Sequence, residues 1–241
     1  MKALHIITPV KNSIDTTLQT IDAIMKSDIT VHWDYTIYND FSTDENTSIL
    51  EREAQKRGFT LVNLKDLTDH PSPNYDLVLQ MAQKRALTEE AGILIIESDV
   101  TVQKDTIQSL FDGTLERGDT GLAASVTVDE NGAINYPYEY AVGRENQVID
   151  EDKYFSFCCT LLSPALLSAV DFATLDPKRD WYDVTLSNIS KRLGFKNYLY
   201  TNLPVWHRPH CSRPWRTLKE KNRLLYYWKK YVTGFNMENK K

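Results

Sequence analysis

Glu97 and Asp99 stand one residue apart, directly after the apolar run Ile93-Leu94-Ile95-Ile96. Four consecutive apolar residues read as a strand buried on both faces. Alternate residues of an extended chain point the same way, so both acids are expected to face one direction where that strand leaves the core. Like charges so close are costly unless a cation stands between them. A hard divalent metal meets that need, since it takes oxygen ligands and commonly sits with phosphates. Strand ends of open α/β sheets are also where ligands bind. The plainer reading of the segment is a polar strand exit, with Asp99 capping the next element of the chain.

The elements that would position these acids alternate strand and helix. Ala3 to Thr8 reads as a short strand ending at Pro9, and Ile14, Leu18, Ile21 and Met25 recur at helical spacing, predicting a helix over 15–26. Tyr35 to Tyr38 is the next strand, closed by Asn39 and Asp40. Asp44 has the character of a helix N-cap, and Gly58 of a C-terminal stop. A third strand over 60–64 and a helix over 75–90, stopped at Gly92, lead into the strand before Glu97. Strands joined by helices of this length imply crossovers in a mostly parallel sheet. Beyond residue 100 the pattern loosens, with a strand over 121–128, a turn over 129–132 and no clear period over 133–155. Ser163-Pro164 opens a short helix, Asp183 to Leu193 a longer one closed by Gly194, and 195–200 reads as a strand.

Four segments, taken in order, resemble the inverting glycosyltransferases of family 2, which have the GT-A fold. Thr8-Pro9-Val10-Lys11-Asn12 is similar to that family's strand-Pro-x-x-Asn opening, and Asn39-Asp40-Phe41-Ser42-Thr43-Asp44 to its Asp-Asp-Gly-Ser-Thr-Asp turn. Glu97-Ser98-Asp99 stands in place of its Asp-x-Asp. Asp183 is followed by Leu186 three residues on, Gly194 eleven on and His207 twenty-four on, as in the family's helix that opens on the general base. The resemblance runs from Leu4 to His207. It implies a GT-A domain over 1–207, a Rossmann-like, mostly parallel or mixed sheet flanked by helices; composition and apolar spacing add a basic, aromatic helical tail over 208–241.

The resemblance also implies the chemistry. A nucleotide-diphosphate sugar of the UDP, GDP or dTDP type would donate its sugar, with inversion, to a hydroxyl on a carbohydrate or lipid-linked acceptor. Thr8, Pro9, Asn12, Asp40, Glu97, Ser98 and Asp99 fall at donor-binding positions. Asp99 and His207 fall at metal positions, for Mn or Mg, and Asp183 at the base that removes the acceptor proton. Other readings of these residues stay open. Asp40 also suits a turn and Asp183 an N-cap. Asp180 is a rival carboxylate, and a histidine after an apolar strand is often structural. His210 and Cys211 lack a second His/Cys pair to complete a four-ligand set.

Three residues depart from the family pattern. Phe41 replaces a turn glycine, so φ > 0 is expected to be difficult there. Glu97 replaces an Asp, and Tyr182 stands where a Glu usually precedes the base. These departures motivate a second reading, a non-catalytic protein that binds sugar nucleotides. A sugar-nucleotide nucleotidyltransferase is a third, disfavoured because Thr8–Asn12 contains no glycine.

Charge and cysteine usage narrow the class. The net charge of −5 conceals ten Lys/Arg against two Asp/Glu over 208–241, so the tail carries +8 and residues 1–207 carry −13. An acidic body is a poor partner for nucleic acid. Three cysteines, two of them the adjacent Cys158 and Cys159, offer neither a disulfide framework nor metal-ligand spacing. With no leader-like or membrane-length apolar run, the expectation is a cytoplasmic protein, at the inner membrane face if its tail engages lipid. Leu218, Leu225, Trp228 and Val232 give that tail an apolar stripe among lysines. Such a stripe suits either a membrane surface or docking on the catalytic domain, and its width favours docking.

Overall fold

The computed structural model describes residues 1–176, 181–208 and 222–232. Its first half alternates strand and helix as the apolar periodicity predicts. β1 (Ala3–Val10), β2 (His32–Asn39), β3 (Thr60–Asn63) and β4 (Ala91–Ile96) pair in parallel in the order β3-β2-β1-β4. α1 (Ile14–Met25), α2 (Asp44–Arg57) and α3 (Tyr75–Glu89) form the crossovers. Thr43, not Asp44, caps α2, its Oγ1 accepting from the Asn46 N–H at 3.4 Å. Asp44 is the first helical residue, where its charge complements the helix dipole. Gly58 closes α2 at φ 80°. α3 ends instead at Glu90, and the expected stop, Gly92, lies inside β4, where an added Cβ would come within 2.5 Å of Met1 Sδ.

The second half adds β5 (Val100–Thr101), α4 (Thr106–Arg117), β6 (Thr120–Val128), β7 (Val148–Asp150), β8 (Cys159–Leu162), α5 (Pro164–Ala169), α6 (Tyr182–Arg192) and β9 (Lys196–His207). The sheet runs β3-β2-β1-β4-β8-β6-β9-β5, with β7 also on β9. It is mixed: β8 is antiparallel to both β4 and β6, while β9 is parallel to β6. The last strand reaches Val205, Trp206 and His207, well past its expected end at residue 200. β5 then pairs Val100 with His207.

Both faces of the sheet are covered. Ala3 and Ile7 of β1 join one apolar cluster with α3, α5 and α6, through Leu79, Leu166 and Leu186. Leu4, Ile6 and Val10 join the other with α1, α2 and α4, through Ile21, Leu50 and Leu110. That division follows from the two-residue period of a strand. Every residue of β4 is buried, as the continuous apolar run requires.

The chain divides into two compact units, Met1–His207 and Arg208–Lys241. In the second, α7 spans Arg223–Val232. Leu218, His210 and Cys211 lie outside the described residues, as does Asp180. Among the described residues no helix is long and apolar enough to cross a membrane.

Candidate active site

The carboxyl ends of β1 and β2 carry two loops that lock each other. Asn12 sits at φ 57° and Ser13 at φ 48°, turning the chain sharply into α1. The Asn12 N–H donates to Ser42 Oγ at 2.8 Å, and Asn12 Oδ1 accepts from the Thr43 N–H at 3.0 Å and Asn46 Nδ2 at 3.3 Å. Phe41 takes φ 59°, so the expected difficulty is overcome. Left-handed backbone costs a non-glycine about 1–2 kcal/mol. Asn39 Oδ1, accepting from the Ser42 N–H at 3.3 Å, and the apolar cluster under Phe41 hold the turn in place.

Asp40 and Thr8 are already engaged within the fold. Asp40 Oδ2 accepts from Ser72 Oγ at 2.6 Å and the Asn74 N–H at 3.0 Å, and Oδ1 from Asn74 Nδ2 at 2.7 Å. A carboxylate has about four lone-pair sites, so one is left for a ligand. Thr8 is fully buried and its hydroxyl accepts from Tyr35 Oη at 3.0 Å. Pro9, its half-buried neighbour, points to the opposite side of β1.

Beyond β4 the expected extended exit is not present. The chain turns at once, the Val100 N–H donating to the Glu97 carbonyl at 3.1 Å. Glu97, Ser98 and Asp99 therefore occupy a turn rather than one strand face. Asp99 is nevertheless brought to His207, because Val100 pairs with His207 across β5 and β9. Asp99 Oδ2 lies 3.6 Å from His207 Nε2, with both side chains buried. His207 Nδ1 faces the Tyr136 carbonyl at 2.9 Å. In the neutral ring a proton on Nδ1 leaves Nε2 as the acceptor, the arrangement of a metal-ligating histidine. Two ligand bonds of about 2.1 Å span up to roughly 4.2 Å, so Asp99 and His207 are close enough to share one ion. The carboxylate oxygen suits Mn or Mg, and the imidazole adds a nitrogen donor that first-row transition metals accept.

Cys158, which the sequence marks as unpromising, joins this cluster. Its Sγ donates to Glu97 Oε2 at 3.3 Å and lies 3.8 Å from His207 Nε2. The Glu97 N–H donates to the Cys158 carbonyl at 3.0 Å, so the register of β4 and β8 sets the approach. Burial, followed by the nearby charge of Glu97, pushes the thiol well above its usual ionisation range.

Asp183 reaches the same region from α6. It is the second residue of that helix rather than its cap, and Oδ1 accepts from the Val184 N–H at 2.8 Å. Tyr75, the first residue of α3, links it to Glu97. Burial and then the charges of Glu97, Asp183 and Cys158 hold the Tyr75 phenol well above its usual range. The Tyr75 ring stacks between Phe157 at 6.0 Å and Tyr182 at 6.2 Å, which is the place found for Tyr182. Among the described residues its hydroxyl has no hydrogen-bond partner. A cleft of about 700 Å³ meets this stack, lined by Thr68, His70, Asn74, Tyr75 and Tyr182 among others but not by Glu97, Asp99, Asp183 or His207. That volume accommodates a small-molecule ligand. Neither Tyr75 nor Cys158 stands out in the sequence, since each acts through residues distant along the chain.

Solved structures share this architecture. A mannosyltransferase from Pyrobaculum calidifontis, PcManGT, in complex with GDP-Man and Mn2+, superposes with TM-score 0.65 at 15% identity over 95% of this chain. Residues 1–349 of S. aureus TarS give 0.63 at 16% identity over 86%. GalNAc-T7 with UDP, GalNAc and Mn2+ gives 0.64 at 11% identity over 88%. The chain spans 64%, 60% and 45% of those three chains. No family model and no curated protein matches the chain. The fold is that of the GT-A glycosyltransferases.

Proposed function

We propose that this chain transfers a sugar from a nucleotide-diphosphate donor to an acceptor hydroxyl, with inversion and with help from a divalent cation. The observation that carries the reading is the convergence of Asp99, His207 and Glu97 at the strand ends, with the charges of both Glu97 and Asp183 felt by Tyr75. The neighbours that hold GDP-Man or UDP together with Mn2+ support the donor class and the metal.

Asp99 and His207 would hold Mn or Mg. When bound, that ion supplies Lewis-acid neutralisation of the diphosphate leaving group. Thr8, Pro9, Asn12, Asp40 and Ser98 form or brace the donor pocket, and Glu97 contacts the ribose side. The acceptor oxygen attacks the anomeric carbon as the bond to the diphosphate breaks, and Asp183 takes the acceptor proton. The proposed role is cytoplasmic synthesis of a surface polysaccharide or glycolipid, on a carbohydrate or lipid-linked acceptor.

A thermal-shift series with UDP, GDP and dTDP, each with and without Mn2+, tests the reading. A ligand at 100 times its Kd adds about 2.7 kcal/mol of stability, and the shift is expected for one base only with metal present. Absence of any metal-dependent shift would sink it.

A further inference from the structure

The cluster behind Asp99 has a chemistry of its own. Glu97, Cys158 and His207 each offer one ligand atom, and the three atoms lie within 4.8 Å of one another. Cys158 Sγ stands 3.3 Å from Glu97 Oε2 and 3.8 Å from His207 Nε2. Bonds of about 2.3 Å to sulfur and about 2.0–2.1 Å to nitrogen or oxygen, at a tetrahedral angle, separate such atoms by about 3.5 Å. We propose that Glu97, Cys158 and His207 form a three-ligand site for a borderline-soft divalent cation of the Zn2+ or Co2+ class.

Four features of the fold support the assignment. The donors are one thiol, one imidazole and one carboxylate, a set that favours zinc or cobalt over magnesium or manganese. Three protein ligands leave a coordination position open, as in catalytic zinc centres. The Tyr136 carbonyl fixes the His207 ring so that Nε2 faces the other two donors. All three residues end or flank strands, whose register holds them without loop rearrangement: Ile96 opposite Cys159, and Val100 opposite His207. Cys158 and His207 are buried while Glu97 is partly exposed, so the ion would enter past the Glu97 carboxylate. Binding exchanges the thiol proton for the metal.

His207 belongs to this triad and to the pair it makes with Asp99, and to that extent the inference rests on the transfer reading. A thiophilic ion held by Cys158 occupies the imidazole that the donor-side ion would use. Zn2+ is therefore expected to displace Mn2+ rather than add to it.

X-ray absorption on the Zn2+-loaded full chain reads the first coordination shell directly. One sulfur at about 2.3 Å with nitrogen or oxygen at about 2.0–2.1 Å is the expected result. A shell of nitrogen and oxygen alone would overturn the site. With Co2+, a thiolate charge-transfer band in the near ultraviolet is expected. It should vanish in Cys158→Ser and persist in Cys211→Ser, whereas persistence in Cys158→Ser would count against the proposal. Cys158→Ser should also weaken Zn2+ by more than the roughly 10- to 100-fold that loss of an outer partner costs, leaving Mn2+ affinity nearly unchanged. Nucleotide binding with Mn2+ is measured in parallel. A sulfur shell without nucleotide binding supports this site and removes the transfer reading; nucleotide binding without a sulfur shell removes this site alone.

Discussion

The loops after β1 and β2 and the cluster after β4 both crown the same sheet, yet they are built on opposite principles. In the first, polar groups answer one another: Asn12 zips to Ser42, Thr43 and Asn46, and Asp40 collects three donors from Ser72 and Asn74. In the second, Glu97, Asp99, Asp183 and a buried thiol gather around a histidine and a tyrosine hydroxyl that donates to no described residue. A network satisfied internally is a scaffold, and its value is stability. A buried tyrosine hydroxyl with no partner among the described residues is costly in the free protein and gains when a partner arrives. On the proposed function the first region braces the donor pocket and the second carries the chemistry.

The largest effect expected is on turnover. On the proposed roles Asp183→Asn removes proton acceptance and no phosphate contact, so transfer should fall about 10²–10⁴-fold while nucleotide affinity holds. Single-turnover rates and calorimetry on the same variant check both halves. If Asp180→Asn carries the loss instead, the base precedes α6 and is not its second residue.

Asp99→Asn comes next. Nucleotide-diphosphate affinity in Mn2+ should drop to the metal-free value, with the melting temperature nearly unchanged. Retained metal-dependent affinity would move the metal off Asp99.

These two acids show how far the sequence could be read. A local pattern, an apolar run ending on acids, points to Asp99, whereas Asp183 is singled out only by its spacing to Leu186, Gly194 and His207, since alone it reads as a helix cap. The first four strands and their helices were legible as Asp99 was, since each buries a face whose period is visible locally. β8 was not, being only four residues long, and neither were α4, β5 or β7. Without β8 nothing marks Cys158 as part of the site, because its partners lie 61 and 49 residues away. The Glu97–Val100 turn escaped the strand argument because period-two logic stops where the chain leaves the sheet.

The scaffold region should answer mutation through stability. Asp40→Ala strands the buried Asn74 N–H, while Asn74 Nδ2 keeps the His70 carbonyl at 3.1 Å and half-buried Ser72 can turn to water, and a buried group left unpaired costs about 1–3 kcal/mol. For a domain of this size that is a fall in Tm of about 2–4 °C per kcal/mol, measurable by calorimetry. A variant that keeps its Tm and loses only donor affinity would show that Asp40 belongs with the chemistry after all.

The same half of the sheet carries a charge network whose pH dependence has a definite sign. Arg85 donates to both Asp34 oxygens, at 2.7 and 2.8 Å, and His5 Nδ1 lies 2.9 Å from Asp34. Desolvation raises the Asp34 pKa, but His5 and Arg85 together outweigh it and hold the carboxyl below its usual range. A depressed folded pKa gives stability that is present above the unfolded value, about 3.9, and is lost as pH falls through the folded one. Asp34→Asn should therefore melt lower at neutral pH, by the equivalent of about 1 kcal/mol for partly exposed pairs, and the gap should close in acid. Parallel melting curves from neutral pH down to acid would contradict this.

The smallest expected stability change is the sharpest test of the contrast. Tyr75→Phe deletes a hydroxyl that has no partner among the described residues and leaves the ring stacked between Phe157 and Tyr182. A buried polar group left unpaired is a cost, so its removal should leave stability unchanged or raise it by up to about 1 kcal/mol. Ligand affinity should move the other way. A ligand that supplies the partner this buried hydroxyl lacks would gain a bond worth about 0.5–1.5 kcal/mol, or roughly 2- to 13-fold in Kd. Calorimetric Tm and nucleotide or acceptor binding, measured on the same preparation, separate the two effects. A lowered Tm with unchanged binding would place Tyr75 with Asp40 in the scaffold, and the boundary between shape and chemistry would have to be redrawn on the β4 side of that ring.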